Sequence, residues 1–397
     1  MQIEPGSTAP SFPHVASNTP GRPAQTATRL AFFIAGFGVA AWAPLVPLAK
    51  QRAGLDDGVL GLLLLCLAAG SIITMPLAGA LAARYGCRIV ILVSTALICA
   101  TLPLLATLGS LPTLAVALLI FGAGIGGIDC AMNVQAIIVE RASGRPMMSG
   151  FHGLFSVGCI AGPAAMAAMM GPGLSPLAAA LAVVGCIVVL AAVAAPHLLT
   201  EGGEARGPAF ALPRGIVLFI GALCFVSFLG EGAMLDWGAI FLISQRQVEP
   251  AYAGLGYACF AATMTLGRLT GDAVVGRLGA TRVLIGSGVC AAGGLALATL
   301  VPSQAATLIG YALVGAGCSN IVPVMYSAVG RQRAMSESLA VPAVTTLGYA
   351  GMLVGPAAIG FVANASSLSL AFLLVAAIML TVSMSVRVLR RSGSITD

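Results

Sequence analysis

Long apolar runs, separated by short polar segments, make up nearly the whole chain. A helix of about 20 residues crosses the roughly 30 Å hydrocarbon core of a membrane, and these runs reach that length. Twelve of them are found, at 29–49, 57–82, 88–107, 112–139, 147–170, 175–197, 214–244, 251–276, 281–301, 304–330, 338–363 and 367–388. A backbone in lipid must satisfy its own hydrogen bonds, so the runs predict helices. The short alternating segments that indicate a membrane β-barrel are not found in this sequence.

An internal repeat divides the twelve runs into two sets of six. The segment Gly122–Gly124 (GAG) returns as Gly315–Gly317, about 193 residues later. Arg84–Gly86 (RYG) returns as Arg277–Gly279 (RLG), and the GxxxGPAA motif of Gly158–Ala165 returns as Gly351–Ala358, both at the same spacing. We therefore predict an all-α membrane protein of two pseudo-symmetric six-helix bundles, at 29–197 and 214–388, joined by a cytoplasmic linker at 198–213.

Composition supports lipid as the solvent of most of the surface. Hydrophobic residues make up 59% of the chain and charged residues only 8%, whereas soluble domains are about a quarter charged. Residues 1–28 are rich in Pro, Ser, Thr and Ala and predict a disordered cytoplasmic tail rather than a signal peptide. Residues 389–397 are expected to form a second cytoplasmic tail.

The positive charges predict the orientation of the helices. The net charge is +6, but the single lysine and the lack of a basic run argue against a nucleic-acid partner. With the N-terminus inside, sixteen arginines fall on the cytoplasmic side and three basic residues outside, which predicts both termini in the cytoplasm and a location in the inner membrane. The sixteen are Arg22, Arg29, Arg84, Arg88, Arg141, Arg145, Arg206, Arg214, Arg268, Arg277, Arg282, Arg331, Arg333, Arg387, Arg390 and Arg391, and the three are Lys50, Arg52 and Arg246.

Several kinds of chemistry find no support in the sequence. The ten cysteines are scattered singly and without histidines at ligand spacing, so neither a metal site nor another cofactor is expected. The only lysine lies outside any GK[ST] motif, so no Walker A loop is present. Gly122–Gly127 fits GxGxxG, but it lies inside an apolar run with no preceding strand and indicates close helix packing. With no HExxH or GxSxG motif, an enzyme is not expected.

The segment after the second run carries a family signature. Gly79–Arg88 (GALAARYGCR) resembles the motif between helices 2 and 3 of the major facilitator superfamily, with Ala83 where an aspartate is usual. A second copy, which begins at Gly267 (GRLTGD), resembles the same motif. The resemblance covers residues 29–388. It implies a secondary transporter that works as a monomer and binds a small-molecule substrate.

Within that superfamily, the fourth run is similar to the fucose permease branch. The segment Gly122–Asn133 (GAGIGGIDCAMN) places an acid and an asparagine four residues apart, as that branch does. The segments FHGLFS from Phe151 and EGAMLDW from Glu231 resemble uncharacterised bacterial relatives of the branch. The aspartate expected on helix 1 is missing, since Trp42 and Ala43 lie there, and sugar uptake by the same mechanism is therefore in doubt.

Acids inside the membrane are the main candidates for function, because a charge there is expensive, at roughly 2.5–3.5 kcal/mol on insertion scales. Asp129 lies near the middle of the fourth run and is the proton-site candidate, and the alternative is a structural acid tied to a neighbouring helix. Asn133, one turn on, shares its face and is a substrate-binding candidate. Glu231 is a second proton-coupling candidate.

Other polar and aromatic residues are candidates for substrate binding, each with a structural alternative. Trp42 and Trp237 either stack on a substrate or anchor the helices at the interface. Asp236 either forms a gate with Lys50 or Arg52 or is a wetted helix end. The remaining candidates are His152, Asn320 and Tyr326, for which helix packing is the alternative.

A conformational latch is expected at the cytoplasmic ends of the helices. Arg268 and Asp272 are spaced for an i, i+4 ion pair, and Arg84, Arg88 and Arg277 belong to the repeated signature. The function expected is transport of a small organic solute, driven by the proton gradient. A proton-driven efflux antiporter for drugs or metabolites remains the alternative, and a sensor or scaffold without transport is the alternative of another class.

Overall fold

The computed structural model describes residues 20–202 and 212–395, and helices joined by short turns make up most of that part. Its fifteen α-helices are α1 Arg22–Ala40, α2 Val46–Ala53, α3 Asp57–Tyr85, α4 Cys87–Leu105, α5 Leu111–Ser143, α6 Met148–Met170, α7 Pro176–Ala194, α8 Ile216–Gly232, α9 Gly238–Arg246, α10 Gly254–Leu278, α11 Ala280–Leu300, α12 Gln304–Cys318, α13 Ile321–Arg331, α14 Glu337–Ala365 and α15 Leu368–Arg391. No strand occurs in the described residues.

Each of the twelve predicted runs corresponds to one helix or to two consecutive helices. Eleven helical segments of the described chain are long and apolar enough to cross a membrane. The eighth run corresponds to α10, which has 25 residues but is less apolar because it contains Arg268, Asp272 and Arg277. Three of the runs consist of two helices in line: α1 with α2, α8 with α9, and α12 with α13.

The first helix begins earlier than the sequence indicated. The predicted tail extended to residue 28, but α1 begins at Arg22, with Pro23 in its first turn, a position that suits proline. Polar side chains of this turn are bonded to α5, since Gln25 Nε2 donates to Ser143 Oγ at 3.0 Å. These polar residues conceal the helix in a hydropathy pattern. Residues 1–19 of the predicted tail lie outside the described residues.

The start of the predicted linker is attached to the first half. The Leu199 carbonyl accepts a hydrogen bond from the Arg88 amide at 2.8 Å, and the Glu201 carbonyl accepts one from the Cys87 amide at 3.3 Å. These two amides belong to the first turn of α4, which would otherwise leave them without partners. Residues 198–202 therefore cap α4, while residues 203–211 lie outside the described part.

The helix contacts repeat between the two halves. In the first half α3 packs on α5, α1 on α6 and α4 on α5, and in the second half α10 packs on α12, α8 on α14 and α11 on α12. The breaks repeat too, because α1 ends at Ala40 and α8 ends at Gly232, about 193 residues later. The two pseudo-symmetric six-helix bundles predicted from the sequence are confirmed.

Glycines of the repeat bring helices into close contact at equivalent places. A Cβ atom on Gly122 would overlap the Leu67 carbonyl group of α3, and one on Gly315 would overlap the Phe260 carbonyl group of α10. The GxGxxG segment is thus a packing surface, as expected. Gly86 and Gly279 have φ angles of 86° and 80°, which suit glycine, and they form the tight turns after α3 and α10.

The two halves touch through α6 with α10 and α3 with α14. We call the end of the bundle that carries Arg84, Arg141, Arg277 and Arg331 the basic end, and the other end, with Arg52, the opposite end. At the basic end Arg141 of the first half bonds to the Gly330 carbonyl and the Glu337 carboxylate of the second half.

Candidate functional site

A cavity of about 410 Å³ lies between the two halves, within the size range of small-molecule sites. Its walls come from α1, α3, α5 and α6 of the first half and from α8, α10, α13 and α14 of the second. Most of the lining is apolar, with six aromatic residues: Phe155, Phe228, Tyr257, Phe260, Tyr326 and Tyr349. A depression of about 250 Å³ at the basic end is lined by Arg141 and Gly330 and belongs to the contact that closes that end.

Asp129 lies on the cavity wall and is buried, at 9% exposure. The Asn133 side chain, one turn further along α5, donates from Nδ2 to Asp129 Oδ1 at 3.3 Å. From the other half, the Tyr349 hydroxyl interacts with the Asp129 carboxyl. The acid therefore contacts a helix of each half, and Asn133, although not part of the lining, is its direct neighbour.

Arg268 and Glu231 form an ion pair on the same wall, with 3.6 Å between Arg268 Nη2 and Glu231 Oε1. Arg268 Nη1 also donates to Ser156 Oγ of α6 at 2.9 Å, which links the halves. The expected pairing of Arg268 with Asp272 is wrong. Asp272 instead accepts a hydrogen bond from the Gly150 amide at 3.0 Å. The side chain of Arg268 points to the cavity, while that of Asp272 points to the first turn of α6.

His152 and Tyr326 both line the cavity, and their rings lie close together, with 5.6 Å between the ring centroids. The His152 ring also meets the Phe32 ring edge-on at 5.2 Å. The Tyr326 hydroxyl lies 2.6 Å from Thr345 Oγ1. Within the described part of the chain, His152 Nε2 is buried and has no hydrogen-bond partner. Two predicted candidates are therefore brought together at the cavity.

Four other candidates lie away from the cavity lining, namely Asn320, Trp42, Trp237 and Asp236. Asn320 lies directly before α13 and accepts a hydrogen bond from Ser149 Oγ at 2.7 Å, so it joins the two halves. Trp42 is buried in the helix core at the break after α1. Trp237 donates from its ring nitrogen to the Pro356 carbonyl at 3.2 Å and packs on α14.

Asp236 is exposed, in the short π-helix Ala233–Trp237. Its expected partner Arg52 is engaged elsewhere, because the guanidinium group of Arg52 donates to the Leu108 carbonyl at 2.7 Å and the Leu105 carbonyl at 2.9 Å. A gate between Asp236 and Lys50 or Arg52 stays a prediction. In this structure Arg52 satisfies the free carbonyl groups at the end of α4.

The contacts that close the basic end differ from the expected latch. The guanidinium group of Arg84 lies over the Tyr85 ring, 5.2 Å from its centroid, and the side chain of Arg277 is exposed. For Arg88 the contact to the linker is made by the backbone amide. The sequence did not predict the bond between Arg141 and Glu337.

Sequence reasoning also missed the aromatic wall. Tyr257, Phe228 and Tyr349 sit on helices that are apolar on most sides, so no periodicity marks which face meets the cavity. Tyr349 had one usable signal, since it is a tyrosine near the middle of a membrane span. No group of three or more metal-ligating side chains is found in the residues that the structure describes.

Two repeated six-helix bundles around a central cavity define the class of multi-pass membrane transporters. The model of the Major Facilitator Superfamily matches residues 29–244. An uncharacterised MFS-type transporter of Yersinia pestis is 54% identical over 379 residues, 95% of this chain and 99% of that protein. Membrane protein MosC of Rhizobium meliloti is 34% identical over 355 residues, 89% of this chain and 87% of that protein.

Among solved structures, FucP in its outward conformation matches with a TM-score of 0.77 at 16% identity, over 94% of this chain and 99% of that chain. At this identity the likeness concerns the fold alone. The family match and the relatives show that the chain belongs to the Major Facilitator Superfamily, whose members are transporters of small molecules and not enzymes.

Proposed function

We propose that this protein carries a small organic solute across the inner membrane by alternating access, coupled to the movement of protons. The observation that carries the proposal is the position of Asp129, buried on the wall of a cavity between the halves and in contact with both of them. An ionisable group placed there is rare without a function. Asp129 is the proton site, and the cavity is the solute site.

The surroundings of Asp129 suit an acid that changes its protonation state. The Asn133 amide can donate to the carboxylate, and the Tyr349 hydroxyl can either donate or accept a hydrogen bond. Glu231 is less suited, because it is already paired with Arg268 and accepts a hydrogen bond from Ser227 at 3.3 Å. FucP, which shares the fold, is described as a fucose:proton symporter of E. coli.

Closure of the basic end supports alternating access. Arg141 bonds to Gly330 and Glu337, and Ser149 bonds to Asn320, all between the cavity and that end. We infer that the structure corresponds to a state with access from the opposite end. With both termini in the cytoplasm, as the arginine distribution indicates, that access is from outside. The cavity is formed between the two halves of a single chain, so we propose the monomer as the transporting unit.

The test is Asp129→Asn in proteoliposomes, with a solute found by a thermal-shift screen of sugars, organic acids and drugs. We expect loss of proton-driven accumulation, because an amide side chain cannot bind and release a proton as a carboxyl group does. Exchange of solute across the membrane is expected to continue. Glu249→Gln, an exposed acid between α9 and α10, is the control. Unchanged accumulation in the Asp129 variant would refute the proton site.

The same assay separates the two alternatives. The mainly apolar and aromatic cavity wall also suits efflux of an apolar compound, and in that case protons move against the solute instead of with it. A sensor or scaffold would bind the solute without any flux of solute or protons.

A further inference from the structure

Arg268 is an unusual residue for the wall of an apolar cavity. Its side chain is buried, with 6% of the residue exposed. Among the described residues that line the cavity, it is the one arginine or lysine. A guanidinium group keeps its charge under all ordinary conditions, so its burial calls for anionic partners.

The partners within the protein leave part of this guanidinium group without a hydrogen bond. It has five N–H bonds to donate. Among the described residues, only the contact of Nη1 with Ser156 Oγ, at 2.9 Å, has the length of a normal hydrogen bond. Glu231 Oε1 is 3.6 Å from Nη2, which is an ion-pair distance but longer than a hydrogen bond. Within the described chain Nε is buried and has no partner.

A carboxylate is the ligand that matches such a group. Arginine binds carboxylates through two parallel hydrogen bonds, usually 2.7–2.9 Å long. Glu231 does not make that arrangement, and it has a second partner in Ser227. It can therefore keep a hydrogen bond when a carboxylate ligand approaches Arg268.

The rest of the cavity defines the body of the ligand. Phe155, Phe228, Tyr257 and Phe260 line the same cavity as Arg268 and favour a hydrophobic or aromatic group. His152 Nε2, buried on that lining, offers one further polar contact. A sugar, which needs hydrogen bonds around its whole ring, fits this wall poorly.

A cationic ligand is the competing reading, since Asp129 and Glu231 are both acids. Asp129, however, is in contact with Asn133 and Tyr349, and Glu231 with Ser227 and Arg268. Arg268 is therefore the charged group whose hydrogen-bond donors lack acceptors. This difference favours an anion.

We propose that the transported solute is an organic monocarboxylate with a compact apolar or aromatic body, and that Arg268 binds its carboxylate. This proposal rests on the proposed function, since it names the substrate class of the same cavity.

The test measures binding to the full-length purified protein in detergent, by calorimetry and by thermal shift. The probes are benzoate, phenylacetate and 3-phenylpropionate, each compared with its amide, together with 3-phenylpropylamine. We expect the carboxylates to bind and the amides and the amine to bind at least about tenfold more weakly, because a hydrogen bond to a charged group is lost. Equal binding of acid and amide, stronger binding of the amine, or no binding of any carboxylate overturns the proposal.

The variants test whether Arg268 is the binding group. Arg268→Gln is expected to weaken carboxylate binding at least about tenfold, and Arg268→Lys to restore it in part, because lysine keeps the charge but not the two-fold geometry. Arg268→Gln with Glu231→Gln leaves no unpaired buried charge and is used if the single variant unfolds. Arg282→Gln, exposed at the start of α11, is the control. Unchanged binding in the Arg268 variants overturns the proposal.

Failure of this proposal is distinguishable from failure of the proposed function. Carboxylate binding through Arg268 without proton-driven accumulation supports the carboxylate site and refutes proton coupling. Proton-driven accumulation of a neutral solute, with no carboxylate binding, does the reverse.

Discussion

Charged side chains near the middle of the bundle are held by partners of different kinds. Asp129 is surrounded by neutral groups, the Asn133 amide and the Tyr349 hydroxyl, so it can lose or gain a proton without breaking an ion pair. Glu231 faces a permanent positive charge on Arg268. At the residue scale, the two buried acids are therefore suited to different roles, one to proton exchange and one to balancing an arginine.

The ion pair of Glu231 and Arg268 gives an asymmetric prediction. Glu231→Gln leaves a buried guanidinium group that cannot lose its charge, and removal of one partner of a buried pair costs about 3–5 kcal/mol. Arg268→Gln is milder, because Glu231 can take up a proton. We expect the thermal midpoint in detergent to fall most for Glu231→Gln and less for Arg268→Gln.

The double variant Glu231→Gln with Arg268→Gln separates the loss of the pair from the isolated charge. It is expected to be more stable than Glu231→Gln alone, with Glu249→Gln as an unperturbed control. A double variant less stable than Glu231→Gln alone contradicts this account.

At the element scale, small residues set how closely the helices approach. Gly122 meets the Leu67 carbonyl between α5 and α3, and Gly315 meets the Phe260 carbonyl between α12 and α10. In lipid, where apolar surface gains little from leaving the solvent, such close packing is a main source of helix association. The repeat seen in the sequence thus has a physical basis in equivalent helix contacts.

Substitution of these glycines tests the equivalence. Gly122→Ala and Gly315→Ala each force a methyl group onto a backbone carbonyl, and overpacking of this kind costs about 1–3 kcal/mol. Gly293→Ala on α11, where no atom lies within 4 Å of the added carbon, is expected to be neutral or to stabilise by about 0.5–1 kcal/mol. Thermal unfolding in detergent measures all three, and equal stability of the three variants would contradict the packing role.

At the scale of the whole molecule, the positively charged end of the bundle is also its closed end. The end that holds most of the arginines is also the end where the halves are joined, through Arg141 with Glu337 and through Gly150 with Asp272. Arginines at that end therefore serve both the orientation of the chain and the contact between the halves. The opposite end holds Arg52 and Arg246, each bonded to carbonyl groups within its own half.

The orientation is tested with single cysteines in a variant whose ten native cysteines are replaced. Arg145→Cys lies in the turn between α5 and α6, and Glu249→Cys lies between α9 and α10, both at exposed positions. In intact cells a maleimide that cannot cross membranes is expected to label Glu249→Cys and not Arg145→Cys, because positive residues stay inside. A maleimide that crosses membranes is the control and labels both variants. Labelling of Arg145→Cys and not of Glu249→Cys by the impermeant reagent would show the opposite topology.

The extent of prediction from sequence differs between Asp129 and Arg268. The position of Asp129 on a central helix followed from hydropathy, because a charge stands out in an apolar run. The partner of Arg268 did not, because a spacing of four residues on one helix indicates a pair with Asp272, whereas Glu231 of another helix takes that place. The side chain of an arginine is long enough to reach partners on several different helices, so its sequence position does not determine its partner.

The sequence by itself determined the apolar runs, their division into two halves and the glycines of the repeat, because hydropathy and repetition can be read along the chain without knowledge of the packing. Only the tertiary structure decided which faces meet the cavity, which residues close the basic end and which charges are paired. The physical reason is that a helix surrounded by lipid and by other helices is apolar on nearly every side. Its pattern therefore records that it is buried but not what it touches.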